Sequence, residues 1–138
     1  MTFLVKLDPF FSILNIRLFD GDDTMPYLKI DTNVSLSYDQ KEALMTDCSQ
    51  LLSQLLQKPE NYVMVSLRAG AHMLFGGTTD PCAYLEFKSL GLPESSTHVF
   101  SEAISKLLHQ QTGIEPSRIY TEFSSPARNM WGWNGATF

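Results

Sequence analysis

The sequence has little positive charge and no basic tract. Its 10 Lys and Arg residues against 15 Asp and Glu give a formal net charge of −5. Proteins that bind nucleic acid or anionic membranes usually show clustered basic residues. We therefore expect neither partner. With 138 residues, 43% hydrophobic and 18% charged, the chain has the size and composition of one globular domain.

Cysteine is also scarce. Cys48 and Cys82 lie far apart and outside any CxxC or zinc-ligand spacing. Two such thiols are typical of unpaired, packed cysteines in a reducing compartment. We expect no metal ion and no cofactor, and a cytoplasmic location.

A long uninterrupted hydrophobic run is missing as well. The apolar N-terminal stretch is broken well short of the roughly 20 residues that a membrane helix needs, and no small-residue cleavage site of a signal peptide follows. The interrupting residues are Lys6, Asp8, Pro9, Asn15 and Arg17. A turn-forming cluster, DGDDT, then marks a boundary. Residues 1–25 are therefore interpreted as an N-terminal extension, which translation from an upstream start would explain, and residues 26–138 as the domain.

The domain repeats one pattern twice. PYLKIDTNV reads as a strand, residues 37–57 as a helix and KPENYVMVSLR as a strand; PCAYLEFKSLG, residues 95–112 and GIEPSRIYTEF follow the same order. Prolines mark the corresponding positions: Pro26 and Pro81, Pro59 and Pro116. Each half predicts two parallel strands joined by a crossover helix.

Apolar stripes on both helices predict that they cover one sheet. The stripes are Leu44, Cys48, Leu51, Leu52 and Leu55 in the first helix, and Phe100, Ile104, Leu107 and Leu108 in the second. Ser37 with Gln40 forms a capping-box pattern, and Gly113 ends the second helix. The predicted fold is α/β (α+β), a four-stranded mixed sheet with two helices on one face. We expect Val, Met, Tyr and Phe side chains on the other face, an apolar patch that favours oligomerisation.

Several segments resemble one known family. MPYLKIDTNV, KPENYVMV, FGGTTDPCAYLEFKSLG, PSRIYTEF and WGWNGATF are similar to the tautomerase superfamily, and within it to the macrophage migration inhibitory factor family. The resemblance covers residues 26–138. It implies a homotrimer in which the sheets form a barrel, edge strands pair across subunits, and active sites lie at subunit interfaces. It also implies keto-enol tautomerisation of phenylpyruvate-like or dopachrome-like substrates.

The resemblance assigns the catalytic base to Pro26, the family's N-terminal proline. An α-amino group titrates near about 8, and a nearby cation lowers that pKa, so the free amine can take a proton from carbon next to a carbonyl. Lys58 matches the family's active-site lysine, which would supply the cation and hold a substrate carboxylate. Its alternative role is that of a lysine facing the C-terminal dipole of a helix.

Four further positions match substrate-binding residues of the family. Tyr120 would enter the pocket from a neighbouring subunit, Leu90 would form an aliphatic wall, and Trp133 with Phe138 would form an aromatic wall. Core or interface packing is the alternative for each. The FGG motif beginning at Phe75 is interpreted as a turn without a chemical role.

Two positions depart from the family's animal members. Glu122 replaces an asparagine and would raise the pKa of the proline by stabilising its charged form. Leu85 stands where a CxxC motif beginning at Cys82 would have its second cysteine. We therefore expect no thiol oxidoreductase activity.

The Met25-Pro26 dipeptide determines which function the sequence favours. A chain that starts at Met25 and loses it exposes the Pro26 amine to an enol or keto acid substrate. A chain that keeps residues 1–25 leaves Pro26 as an inert amide, and the alternative is then a non-catalytic, cytokine-like protein that binds a receptor and is exported without a signal peptide. An isomerase of unsaturated acids is less favoured, because such relatives usually contain one repeat.

Overall fold

The structure, a computed structural model, describes residues 25–138. Six strands and two helices form in this order: β1 Tyr27–Thr32, α1 Tyr38–Leu56, β2 Met64–Arg68, β3 Ala83–Lys88, α2 Thr97–Thr112, β4 Ile119–Ser124, β5 Gly132–Trp133 and β6 Ala136–Thr137. Apart from Met25, the predicted N-terminal extension lies outside the described residues.

Strands β1 to β4 form one mixed sheet in the order β2-β1-β3-β4. β1 pairs with β2 in parallel, β3 pairs with β4 in parallel, and β1 and β3 are antiparallel. Each half of the chain thus contributes a parallel pair with its crossover helix, and the two halves meet at β1 and β3. The predicted four-stranded mixed sheet is confirmed.

The helix ends follow from local sequence. The Ser37 side chain accepts a hydrogen bond from the Gln40 N–H at 3.2 Å, and the Ser37 N–H donates to the Gln40 side chain at 2.9 Å, which confirms the capping box. Helix α2 ends at Gly113 with φ 75°. It begins at Thr97 instead of the predicted residue 95, because Glu94–Ser96 forms a 3-10 turn first.

Both predicted apolar stripes are buried between the helices and the sheet. Leu28 and Ile30 of β1, with Leu85 and Phe87 of β3, meet them from the sheet side and are fully buried. The ring of Phe87 stacks on that of Phe100 with centroids 5.2 Å apart. Burial of this one-sided apolar surface is the main stabilising contribution.

The other face of the sheet contradicts the sequence prediction. Val65, Leu67 and Phe123 pack against the helix-side core, since alternate residues of a strand point to opposite faces. The open face carries mainly charged and aromatic polar side chains: Tyr27, Lys29, Asp31, Met64, Ser66, Arg68, Tyr84, Glu86, Lys88, Tyr120, Glu122 and Ser124. The prediction of a large apolar patch was wrong, so that patch gives no support to oligomerisation.

Candidate active site

A groove of about 440 Å³ lies where β1 begins. Pro26 is buried there, and its carbonyl accepts a hydrogen bond from the Met64 N–H at 3.0 Å. This bond extends the parallel β1–β2 pairing by one residue and fixes the entrance to β1. The lining residues are mostly apolar and aromatic: Met25, Pro26, Tyr27, Asn61, Tyr62, Val63, Met64, Trp131, Gly132 and Trp133.

A short C-terminal hairpin, β5 and β6, provides one wall of the groove. Its turn is Asn134-Gly135, with φ angles of 53° and 77°, the positive values that a type I′ turn requires. The turn folds the last residue back so that Phe138 stacks on Trp133, with centroids 6.2 Å apart and planes 15° apart. The Arg128 guanidinium lies 5.9 Å from the Phe138 ring centroid.

Neither Lys58 nor Leu90 is among the described residues that line the groove, although Lys58 precedes the lining residue Asn61 by only three positions. Gln57 ends α1 in the left-handed conformation, φ 54°, and the Lys58 N–H donates to the Ser53 carbonyl at 3.1 Å. Lys58 therefore starts the segment that leads directly to the lining residues Asn61 and Tyr62. Leu90 is buried, with 1% of its surface exposed.

Tyr120 and Glu122 lie on β4, at the opposite edge of the sheet from β2. Tyr120 is aligned through Tyr84 with Asp31, two strands away. Strand geometry puts Tyr120 about 16 Å from Pro26 along the strands and about 10 Å across them, which is about 19 Å in all. Glu122 is about 14 Å from Pro26 by the same geometry. Neither β4 residue can reach the groove of its own chain, although Tyr120 is 64% exposed.

Comparisons with known proteins show the family to which the chain belongs. A model of the family described as "Macrophage migration inhibitory factor (MIF)" matches residues 25–138. A macrophage migration inhibitory factor homolog of Brugia malayi is 35% identical, over 83% of this chain and 99% of its own. The macrophage migration inhibitory factor of Meriones unguiculatus is 33% identical over the same shares.

Solved structures give the same result. The macrophage migration inhibitory factor homologue of Prochlorococcus marinus has a TM-score of 0.76 and 41% identity, covering 81% of this chain and 98% of that one. The corresponding protein of Entamoeba histolytica has a TM-score of 0.77 and 27% identity, covering 83% and 99%. The chain belongs to the macrophage migration inhibitory factor family. The resemblance and the tautomerase fold read from the sequence are thereby confirmed.

Several residues that line the groove of this MIF-family chain were not predicted from the sequence, notably Tyr62, Met64 and Trp131. A usable signal existed for two of them. If β1 and β2 are parallel neighbours, the residues that begin β2 must lie beside those that begin β1, and Tyr27 is indeed aligned with Met64. Trp131 had no such signal, because only the folding of the C-terminal segment brings it to Pro26.

Glu122 has a defined partner within the chain. The Tyr84 hydroxyl donates a hydrogen bond to its carboxylate across the β3–β4 pair. This bond is the main reason that the pKa of Tyr84 is raised to about 12, with burial and the carboxylates of Glu122, Glu86 and Asp31 adding to it. The hydrogen bond fixes the Glu122 carboxylate over the open face of the sheet.

Residues 25–138 contain no candidate metal site and no candidate membrane span. No cluster of three or more His, Cys, Asp or Glu side chains in that range could hold a metal ion. Neither α1 nor α2 is both long and apolar enough to cross a membrane.

A second cavity of about 530 Å³ lies near the other end of β1, between Asn33 and the segment around His72.

Proposed function

We propose that this chain is a keto-enol tautomerase of phenylpyruvate-like or dopachrome-like substrates, in which Pro26 is the N-terminal general base once the preceding residues are removed. The observation that carries the proposal is the position of Pro26 in an aromatic-walled groove. The chain belongs to a family known for tautomerase activity and cytokine-like roles, which supports this reading.

The chemistry needs a secondary amine that is free at neutral pH. An α-amino group has a pKa near about 8, and partial burial beside a cation lowers it. The Pro26 nitrogen would take a proton from the carbon next to the substrate carbonyl, which leaves an enolate, and the proton delivered to the enolate oxygen would give the enol; enol decay runs through the same steps in reverse. Lys58 would bind the carboxylate, and the rings of Trp133 and Tyr62 would contact the aromatic part of the substrate.

The complete site in this proposal is formed by a homotrimer. Strands β2 and β4 are the edges of the four-stranded sheet, and open edges favour pairing with another chain. Tyr120 and Glu122 are about 14 to 19 Å from Pro26 of the same chain, so they could act there only from a neighbouring subunit. In this arrangement Phe138 completes the pocket wall and Glu122 raises the pKa of Pro26, whereas Leu90, with 1% of its surface exposed, supports the site from within the core.

The test compares two chains. One begins at Met25-Pro26 and has lost Met25; the other contains all 138 residues and is verified by mass. Enol decay is followed by absorbance. We expect the short chain to be active and the full chain nearly inactive, because an amide nitrogen has no available lone pair. Equal turnover by both chains would exclude Pro26 as the base.

Two variants of the short chain separate the roles. Pro26→Gly keeps an N-terminal amine, so activity should fall without disappearing. Lys58→Ala should mainly raise KM for carboxylate substrates, since the lysine is assigned to binding. If Lys58→Ala leaves the KM for a keto acid unchanged, Lys58 does not bind the substrate carboxylate and interacts only with the C-terminal dipole of α1.

A specific observation favours a second function. Met25 is itself buried and lines the groove. In a mature chain that keeps Met25, this side chain therefore fills part of the groove next to Pro26, and the Pro26 nitrogen is an amide. Such a chain would be a non-catalytic binding protein for a protein receptor. N-terminal sequencing of protein from its native host distinguishes the two: a chain that begins at Pro26 supports the enzyme, and one that begins earlier supports the binding protein.

The cytoplasmic location stays a prediction.

A further inference from the structure

The FGG motif forms a tightly bonded turn between β2 and β3. The Phe75 N–H donates to the Thr78 carbonyl at 3.0 Å, and the Thr78 N–H donates back to the Phe75 carbonyl at 3.1 Å. Gly76 and Gly77 between them have φ angles of 60° and 79°. Positive φ at both central residues is the condition for a two-residue type I′ turn, which explains the two glycines.

Arg118, just before β4, anchors this turn through backbone carbonyls. Its Nε donates to the Pro81 carbonyl at 2.9 Å. Its Nη2 lies 3.1 Å from the Asp80 carbonyl, 3.2 Å from that of Phe75 and 3.4 Å from that of Thr78. A planar guanidinium with several donors is suited to hold such a set of acceptors in one geometry.

Asn33, the residue directly after β1, anchors the same segment. Its side-chain amide donates to the carbonyls of Thr79 at 3.0 Å and Asp80 at 3.1 Å, and its oxygen accepts from the Cys82 N–H at 2.9 Å. Residues 75–82 are therefore tied to both halves of the sheet. The side chains of Asn33 and Arg118 donate six hydrogen bonds to this surface segment and accept one from it, which leaves the segment little conformational freedom.

The fixed segment holds the Phe75 side chain against Tyr120. Its ring contacts the Tyr120 ring, with centroids 4.7 Å apart and planes 56° apart, and the Arg118 guanidinium lies 5.0 Å from its centroid. Tyr120 is 64% exposed on an edge strand. An exposed tyrosine without a fixed neighbour samples several rotamers, whereas a tilted ring contact selects one.

We propose that Phe75 and Arg118 are positioning residues that hold Tyr120 in the orientation with which it enters the groove of the neighbouring subunit. They act through Tyr120 and touch no substrate themselves. The inference rests on the proposed function, because it needs Tyr120 to contact substrate bound near Pro26 of another subunit. It gives the FGG turn a role in the site that the sequence analysis did not assign.

The test uses trimers of the short chain. Phe75→Leu removes the ring and keeps apolar volume, so it should raise KM for an aromatic keto acid by roughly threefold to tenfold, the range that one aromatic contact provides, with a smaller change in kcat. Phe75→Tyr keeps a ring and should restore the wild-type KM. Thr79→Ala, an exposed change in the same segment, is the control and should leave KM unchanged.

Coupling to Tyr120 separates positioning from a general effect on the fold. In a Tyr120→Ala background, Phe75→Leu should cause no further rise in KM, because residues that act through one another are not additive. In ¹³C-tyrosine spectra, the Tyr120 ring signal, assigned by its loss in Tyr120→Phe, should shift in Phe75→Leu. If Phe75→Leu does not form trimers, Arg118→Lys replaces it, because lysine keeps the positive charge but lacks the guanidinium group. The KM, its dependence on Tyr120 and the Tyr120 ring signal are then measured in that variant.

The outcomes distinguish the two proposals. An inactive wild-type short chain overturns the proposed function and this inference together. An active wild type with an unchanged KM in Phe75→Leu overturns the positioning role alone. An equal rise in KM with and without the Tyr120 side chain also overturns it, since Phe75 would then act by another route.

Discussion

Phe138→Ala tests whether the C-terminal hairpin is a locally stabilised wall of the groove. β5 and β6 have two residues each, and an isolated two-stranded hairpin of this kind is at best marginally stable. The substitution removes the stacking on Trp133 at 6.2 Å and the Arg128 contact at 5.9 Å. An aromatic pair contributes about 0.5–1.5 kcal/mol, and an exposed cation–ring contact about 0.5–1 kcal/mol.

The free energy of closing the hairpin should therefore become less favourable by about 1–2.5 kcal/mol. Since about 1.4 kcal/mol corresponds to a factor of ten, the open fraction rises roughly fivefold to seventyfold. Trp133 is 53% exposed, so the lower half of that range is expected. The loss is local, because Phe138 is not part of the buried core of the described residues.

Fluorescence reports on this change directly, because both tryptophans of the sequence, Trp131 and Trp133, line the groove. We expect a red-shifted emission in Phe138→Ala, an unchanged Tm and weaker binding of phenylpropanoate, an aromatic carboxylate that cannot tautomerise. Thr137→Ala, on the exposed strand β6, is the matched control. Wild-type emission and affinity in Phe138→Ala would refute the reasoning, and so would a fall in Tm as large as that of a core substitution.

Three further predictions concern assembly, the open face and the thiols. Light scattering at micromolar concentration should give a homotrimer, and a stable monomer would remove the basis for an interfacial site. The pKa of Tyr84 is raised from about 10 to about 12; the folded state holds this proton more tightly, so the stabilisation is present below pH 10 and is lost as the pH rises through 12. Tyrosinate absorbance should therefore show one late-titrating ring, absent in Tyr84→Phe and shifted to lower pH in Glu122→Gln. Cys82→Ser should keep turnover while the buried hydroxyl costs about 1–3 kcal/mol of stability; lost turnover in a folded trimer would reveal a functional thiol.

Local chemistry made much of the fold readable from the sequence. The capping box at Ser37 and Gln40 and the stop at Gly113 depend on residues within one or two turns of the chain. The apolar stripes follow from the 3.6-residue period of a helix. With the strand-like segments on either side of each helix, these features specified two strand-helix-strand units before any long-range contact was known.

The composition of the open sheet face also follows from the sequence, because the alternation of side chains along each strand determines it. In YLKIDT, MVSLR and AYLEFK, apolar and polar residues alternate. Because one residue's shift moves every side chain to the other face, the alternation assigns Val65 to the core and Lys29 to the open face. The prediction of an apolar open face was wrong because it rested on residue types, whereas the face on which a side chain lies depends on its position along the strand.

Only the tertiary structure decided how the candidate site is assembled. Trp133 follows Pro26 by more than a hundred residues, and no periodicity links the two; chain closure over that length is determined by packing of the whole fold. The antiparallel contact between β1 and β3 places Tyr120 at the far edge, out of reach of Pro26 in its own chain. The sequence by itself determined the two repeated units and the residue types available for chemistry, whereas long-range pairing decided which of those residues one subunit can bring together.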